Sequence, residues 1–393
     1  MIETHETQQG PQPLVRIGMV GGGEGAFIGE VHRLAMRISG RFALVCGALS
    51  SDPDRARRSG RMLRLPEARS YPSYEAMIER ELALPPEERM EAVAVVTPNH
   101  MHLPVSKAAL EAGFHVISDK PATRTLDEAI ELRAAVGAAP GVYALTHTYL
   151  GYPMVAEAID RVARGELGEV RRIVVQYPQE WLTDPVEGEG QKQASWRTDP
   201  ALSGPSGCFG DIGTHAFNLA ETIAGVRVSE LCADLTAHVE GRRLEDDGAA
   251  LLRFENGARG VLLASQVSPG EENGLRIEVF GDKAGLRWAQ EEPNTLWLMP
   301  TAAPHQRLRA GGGYLSELAS ARCRTPMGHP EGYLEAFANL YDLFADAVRT
   351  GTRSSALPGI EDGVRGMAFL DASLRSSRRE SWTKIDTEQS YLD

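Results

Sequence analysis

The chain has 393 residues, a formal charge of −13 and 42% hydrophobic side chains. That size suits two packed domains or one large one. The acidic balance argues against a nucleic-acid partner and against an anionic membrane surface, since both require a positive face. It says little about small substrates. Cys46, Cys208, Cys232 and Cys323 form no CxxC pair, which predicts neither a zinc knuckle nor a disulfide framework and suits a reducing cytoplasm. Residues 1–13 are polar and carry Gln, Gly and Pro, so a flexible lead is expected there. No run approaches a membrane span.

Residues 15–20 form a short apolar run that ends in glycines and predicts a buried strand. Val31, Leu34, Ala35 and Ile38 then repeat at helical spacing, and residues 42–49 are apolar again. This is the length of a parallel crossover unit. The pattern recurs: strands are expected at 92–96, 114–117 and 142–145, with helices at 105–112 and 126–136 between them. Such alternation predicts an α/β, doubly wound parallel sheet over residues 14–150.

The rhythm changes after residue 150. A helix at 156–164 and a strand at 170–176 are followed, from Leu231 onward, by closely spaced strands. Residues 251–254 lead into Asn256-Gly257, a strong hairpin cue, and runs at 261–266, 276–280, 286–288 and 296–299 follow. Residues 300–313 read as a loop. Helices at 333–348 and 363–374 close the chain, split by Pro358-Gly359. Residues 151–393 are therefore expected to form an α+β domain with a large, mainly antiparallel open sheet. Val239, Leu251, Val261, Leu263 and Val279 predict an apolar sheet face that joins copies into a homodimer or homotetramer.

Gly21, Gly22 and Gly23 follow the first strand, and Ala26, Phe27 and Ile28 open the helix after it. The spacing of Gly21, Gly23 and Ala26 fits GxGxx(G/A). Glycine lets the backbone turn tightly against a pyrophosphate, and the helix N-terminus supplies free N–H groups. A dinucleotide is the expected cofactor. The second strand ends in Leu49-Ser50-Ser51-Asp52, with Arg55, Arg57 and Arg58 close by. An uncharged Ser50 beside arginines suits NADP, whereas Asp52, two residues late, suits an NAD ribose. NAD and NADP both stay open. Asp52-Pro53 also reads as a plain helix start.

Thr97-Pro98-Asn99 and Asp119-Lys120-Pro121 each follow a strand, on the edge where open parallel sheets bind ligands. Lys120 there can hydrogen-bond a substrate hydroxyl and accept its proton. Asp211 and His215 are four apart in a segment with helical spacing. They are expected to share one helical face, with the acid orienting the imidazole and raising its basicity. Tyr177, Gln179, Trp181, Lys192, Gln193, Trp196 and Arg197 precede this cluster, and their polar and aromatic character suits a carbohydrate. His329 and Tyr333 begin a late helix and are further pocket candidates. The histidines form no HExxH motif, so no metal is expected.

Several of these pieces together resemble a known family. They are Thr97-Pro98-Asn99-His100-Met101-His102-Leu103-Pro104, Ala108-Ala109-Leu110-Glu111-Ala112-Gly113-Phe114-His115-Val116 and Asp119-Lys120-Pro121. Tyr149, Gly165-Glu166-Leu167-Gly168-Glu169-Val170, Trp196-Arg197, Asp211-Ile212-Gly213-Thr214-His215, Phe280-Gly281-Asp282 and Asp362-Gly363 continue the series. In order and over most of the chain, the sequence is similar to the glucose–fructose oxidoreductase, inositol dehydrogenase and MocA family. The resemblance implies a Rossmann domain, then an open-sheet domain whose C-terminal helices partly return to the first. It implies NAD(P)-dependent hydride transfer at a secondary hydroxyl of a sugar, glucoside or cyclitol, with Lys120, Asp211 and His215 catalytic. It further implies cofactor contacts from Thr97, Pro98, Asn99, His102, Asp119 and Lys120, and a substrate contact from Tyr149. Two departures stand out. Asp119 replaces the usual Glu, and Gly25-Ala26-Phe27-Ile28-Gly29 lengthens the turn between Gly23 and His32. The competing expectation is a non-enzymatic sensor on the same scaffold; the presence of Lys120, Asp211 and His215 argues against it.

Overall fold

The structure is a computed structural model that describes residues 13–189 and 191–391. The lead expected over residues 1–13 lies, apart from Pro13, outside the described residues. The chain begins with β1 (Val15–Gly21), α1 (Phe27–Ser39), β2 (Phe42–Ala48), α2 (Pro53–Met62), α3 (Tyr74–Leu82) and β3 (Ala92–Val96). There follow α4 (His102–Glu111), β4 (His115–Ser118), α5 (Leu126–Ala138), β5 (Tyr143–Leu145) and α6 (Pro153–Ala163). All five strands pair in parallel in the order β2-β1-β3-β4-β5. Every residue of β3 is buried, as a strand covered on both faces requires. The order reverses between β1 and β3, and the crevice at their carboxyl ends is where such sheets hold ligands.

The second half contains β6 (Val170–Pro178), α7 (Lys192–Arg197), α8 (Pro200–Ser203), a π turn at Phe209–Gly213 and α9 (Thr214–Ala224). Strands β7 (Val228–Thr236), β8 (Asp247–Phe254), β9 (Arg259–Ser265), β10 (Arg276–Gly281), β11 (Ala284–Ala289), β12 (Thr295–Pro300) and β13 (Gln306–Arg309) follow. The chain ends with α10 (Glu317–Ser320), α11 (Tyr333–Thr350), α12 (Ile360–Arg379) and β14 (Thr383–Lys384). The second sheet has nine strands in the order β13-β12-β11-β10-β6-β9-β8-β7-β14, and only the β6–β9 pair is parallel.

Helices α6, α9 and α12 cover one face of this sheet. On the opposite face, register places Leu251 beside Val261 and Val261 beside Val174, and Leu251 is 51% exposed. Two residues expected on this apolar face lie elsewhere. Val279 is fully buried on the helix side, and Val239 lies in the loop after β7. Helix α11 returns to α1, where Phe337, Tyr341 and Phe344 join the core built on Ile17 and Met19.

Residues 300–313 are not all loop, because Gln306–Arg309 pairs with β12. Only Leu308 of this edge strand is buried, so the segment carries almost no apolar signal. Among the described residues no helix is long and apolar enough to cross a membrane.

The glycine turn is shaped by close approach. Gly21 and Gly22 hold φ of +80° and +71°, a region that favours glycine. A Cβ on Gly29 would stand 2.3 Å from the Gly22 Cα. Gly29→Ala therefore pushes α1 off the turn. Overpacking of this kind costs about 1–3 kcal/mol, so dinucleotide affinity is expected to fall by roughly tenfold or more in a fluorescence titration. Unchanged affinity would show that the helix start does not shape the cradle.

Candidate active site

The crevice at the β1–β3 switch holds a cavity of about 600 Å³. Gly21, Gly22, Gly23, Ala26, Phe27 and Ile28 line one wall, Ser50, Ser51 and Arg55 a second, and Thr97 and Pro98 a third. A Cβ on Gly23 would meet the Leu49 carbonyl at 2.5 Å, so the turn packs as only glycine allows. An extended dinucleotide fits these walls: a bare-backbone turn for the pyrophosphate, a helix start beside it, and a polar strand end for a ribose.

Asp52 does not line that cavity. It caps α2, its Oδ1 accepting from the Arg55 N–H at 2.7 Å, so the plain helix start is what the structure contains. Arg57 pairs with Asp54, and Arg58 with Glu24 at 3.1 Å. The Arg55 guanidinium makes no ion pair among the described residues.

Two expected cofactor residues are placed differently. His102 is fully buried, its ring nitrogens 2.6 Å from the Pro121 carbonyl and 2.9 Å from the Thr97 carbonyl. It ties two loops together and lines neither cavity, because both polar edges of its ring are spent on backbone. Asn99 donates to the Ser203 carbonyl at 2.8 Å and lines a second, smaller cavity of about 60 Å³.

That second cavity joins the two sheets. Asp119 and Lys120 come from the end of β4, Arg197 from α7, Asp211 from the π turn and Gln266 from the end of β9. Gln193, Trp196, Ile28 and Thr97 line both cavities, so the two adjoin. The Lys120 Nζ donates to Asp211 Oδ1 at 2.8 Å and to the Asp211 carbonyl at 2.5 Å. Gln266 donates to Asp211 Oδ2 at 2.9 Å, and Arg197 Nε lies 3.3 Å from the same oxygen. The Arg197 guanidinium stacks on Trp196 at 4.4 Å and faces Trp181 at 6.0 Å. Burial alone would raise the Asp211 pKa. The neighbouring Lys120 and Arg197 cations, with the Lys120 and Gln266 hydrogen bonds, instead hold its carboxyl far below the usual carboxylate range.

His215 lies beside this pair but is not bonded to Asp211. Its ring meets the edges of Tyr149 at 4.8 Å and His147 at 5.6 Å. The expectation that Asp211 orients His215 is thus corrected: Lys120, Gln266 and Arg197 already occupy both carboxylate oxygens. Burial, then the Lys120 charge, pushes the His215 pKa well below its ordinary value. Asp119 accepts from Thr146 at 2.8 Å and lies 3.8 Å from His32 Nε2. Burial opposes ionisation of Asp119, but His32 and Lys120 hold its carboxyl low.

The expected substrate residues mostly converge. Tyr149 bonds to Tyr177, whose hydroxyl donates to Asn273 Oδ1 at 2.7 Å; Gln179 donates to the same oxygen at 2.8 Å. Trp196 and Arg197 line the small cavity with Asp211. His329 does not join them. It is exposed, its Nδ1 3.2 Å from the Pro326 carbonyl, because buried Glu331 ties the loop back on itself through the Arg324 and Thr325 N–H groups. Tyr333 is half-buried and packs on Phe337. The Lys192 side chain lies outside the described residues. Gln266, Asn273 and His147 carry no motif. Only their positions at or beyond strand ends signal a role.

Comparison with known proteins settles the ancestry. Residues 15–147 match the oxidoreductase family with an NAD-binding Rossmann fold, and residues 155–287 match the GFO/IDH/MocA C-terminal domain. The chain belongs to the GFO/IDH/MocA oxidoreductase family. Its relatives in this family include the uncharacterized oxidoreductase YfiI of Bacillus subtilis, 33% identical over 94% of this chain and 97% of the relative. Levoglucosan dehydrogenase of Pseudarthrobacter phenanthrenivorans is 25% identical over 94% of this chain and 98% of that enzyme. An inositol dehydrogenase homolog from Azotobacter vinelandii, complexed with NAD+, superposes with a TM-score of 0.90. It is 38% identical over 95% of this chain and 97% of that one. The same homolog with NADH and myo-inositol gives a TM-score of 0.87 at 37% identity, over 95% and 98% of the two chains. A GFO/IDH/MocA oxidoreductase of this kind has an NAD-binding Rossmann domain, and the large cavity lies at its switch point.

Proposed function

We propose that the protein is an NAD(P)-dependent dehydrogenase acting on a secondary hydroxyl of a sugar, glucoside or cyclitol, or on the matching ketone in reverse. The observation that carries this reading is the Lys120–Asp211 pair, 2.8 Å apart, formed between the two sheets beside His215. The relatives crystallised with myo-inositol or named for levoglucosan support a polyol as substrate. The nicotinamide ring, when bound, supplies the hydride acceptor. Lys120, held by Asp211, donates to the substrate oxygen and stabilises the developing alkoxide. His215 takes the hydroxyl proton; its lowered pKa keeps the imidazole neutral and able to accept at neutral pH. Arg197, Trp181 and Trp196 offer a stacking wall for a sugar ring.

A screen of sugars, glucosides and inositols with each nicotinamide nucleotide tests this. Cofactor reduction by at least one polyol is expected. No turnover in either direction would favour a sensor.

For the cofactor, Ser50, Ser51 and Arg55, whose guanidinium has no ion pair among the described residues, leave a place for a 2′-phosphate as well as a bare ribose. A lost charged hydrogen bond is worth about 1.5–3 kcal/mol, so Arg55→Ala is expected to weaken NADP by roughly tenfold or more and to spare NAD. Equal loss for both nucleotides would show that Arg55 touches a part they share. The apolar sheet face around Leu251 and Val261 supports a homodimer or homotetramer; a monomer by light scattering would contradict it. The four free thiols fit a cytoplasmic protein.

A further inference from the structure

His147 has no part in the scheme above, yet it is buried at the reacting end of the site. It lies two residues past the end of β5, is 3% exposed, and sets its ring edge-on to His215 at an interplanar angle of 84°. Tyr149 closes the other side of His215. The Nδ1 atoms of both histidines are buried and have no hydrogen-bond partner among the described residues. Buried polar atoms are rarely left so without a functional reason. Asp211 cannot supply the partner, since Lys120, Gln266 and Arg197 occupy its carboxylate.

The charged and titratable groups facing the pair are Lys120 and Asp119 after β4, Asp211 in the π turn and Asp362 at the start of α12. Tyr149 and Tyr177 complete the ring wall. Two imidazoles this close in a poorly solvated site do not both carry charge, so the pair takes up one proton in total. Burial pushes the His147 pKa down to about 4 and the His215 pKa well below its ordinary value.

Resting on the dehydrogenase reading, we propose that His147 is a positioning residue that acts through His215 and takes the Nδ1 proton that His215 gives up when it accepts the substrate proton. During oxidation the substrate O–H bond breaks and its proton goes to His215 Nε2. The carbon-bound hydrogen leaves with its electron pair as hydride to the nicotinamide. The His215 Nδ1–H bond then breaks, its proton passes to one bridging water, and that water gives a proton to His147 Nδ1. His215 returns to neutrality in its other tautomer, and His147 releases the proton to solvent.

His147→Asn and His147→Phe test this in the full-length protein. Both are expected to lower kcat by roughly tenfold or more, with KM and NAD affinity held within about twofold, and to move the acid limb of the kcat profile. Packing alone would leave that limb in place. A second readout needs no substrate: histidine-labelled NMR titration, with His215 assigned from His215→Asn. In the parent, charge on the His147 ring opposes charge on His215. In His147→Asn that repulsion is gone, so His215 is expected to titrate at a higher pH than in the parent. Parental kcat and pH profile in either variant, or an unmoved His215 titration, would overturn the proposal. A parent inactive on every polyol would sink the dehydrogenase reading, while the titration still reports on the pair.

Discussion

Replacing Lys120 with alanine is expected to lower turnover by about a thousandfold or more, a loss of at least ~4 kcal/mol of transition-state stabilisation. Dinucleotide affinity is expected to stay close to the parent value. The two effects separate because the large cavity that fits the dinucleotide is walled by the glycine turn, the β2 end and the β3 end, and Lys120 is not among its lining residues. Lys120 lies in the small cavity, with its amine on Asp211. Its loss leaves Asp211 with Gln266 at 2.9 Å and Arg197 at 3.3 Å, so the carboxylate keeps a donor and a cation and the fold survives. Single-turnover hydride transfer and a cofactor titration on the same preparation check both halves. Retained turnover would remove the lysine from the mechanism.

Asp211→Ala is expected to act on stability as well as on turnover. It leaves Lys120 without its carboxylate, and the Lys120 and Asp211 side chains are only 13% and 18% exposed. Breaking a buried pair from one side costs about 3–5 kcal/mol, and the residual solvation here favours the lower end. Asp211→Asn keeps the shape and the Gln266 contact while removing the charge, so it separates packing from electrostatics. The folded Asp211 carboxyl is depressed far below its unfolded pKa of about 3.9, so its contribution is fully present above that value and is lost as pH falls through the folded pKa. Denaturant melts across acid pH should therefore show a steeper loss for the parent than for Asp211→Asn. Parallel curves would mean that the pair adds nothing to the fold.

The parallel sheet was readable because its strands are short, mainly apolar runs spaced by helical patterns, and the central strand β3 is buried throughout. Strand β13 was not, because an edge strand with one buried residue looks like a polar loop. At the site, the glycine turn lines the large cavity, and Lys120 and Asp211 meet in the small one, each held where the local backbone sets it. Partners that come from far along the chain were not readable from spacing. Asp211 and His215 are one turn apart, yet Lys120, ninety-one residues away, takes the carboxylate. His102 has the look of a ligand and is spent on two carbonyls. Gln266 orients Asp211 across 55 residues with no local signal. Spacing reveals which face a side chain shares, but long-range competition for its polar atoms decides what it binds.

A crystal structure of the protein with NADH bound tests the central claim most directly. The account predicts the nicotinamide C4 at the junction of the two cavities, leaving room for a carbon at about 3–3.5 Å whose oxygen reaches Lys120 and His215. A nicotinamide ring turned away from Lys120, Asp211 and His215, with the rest of the cofactor still seated in the glycine turn, would contradict it.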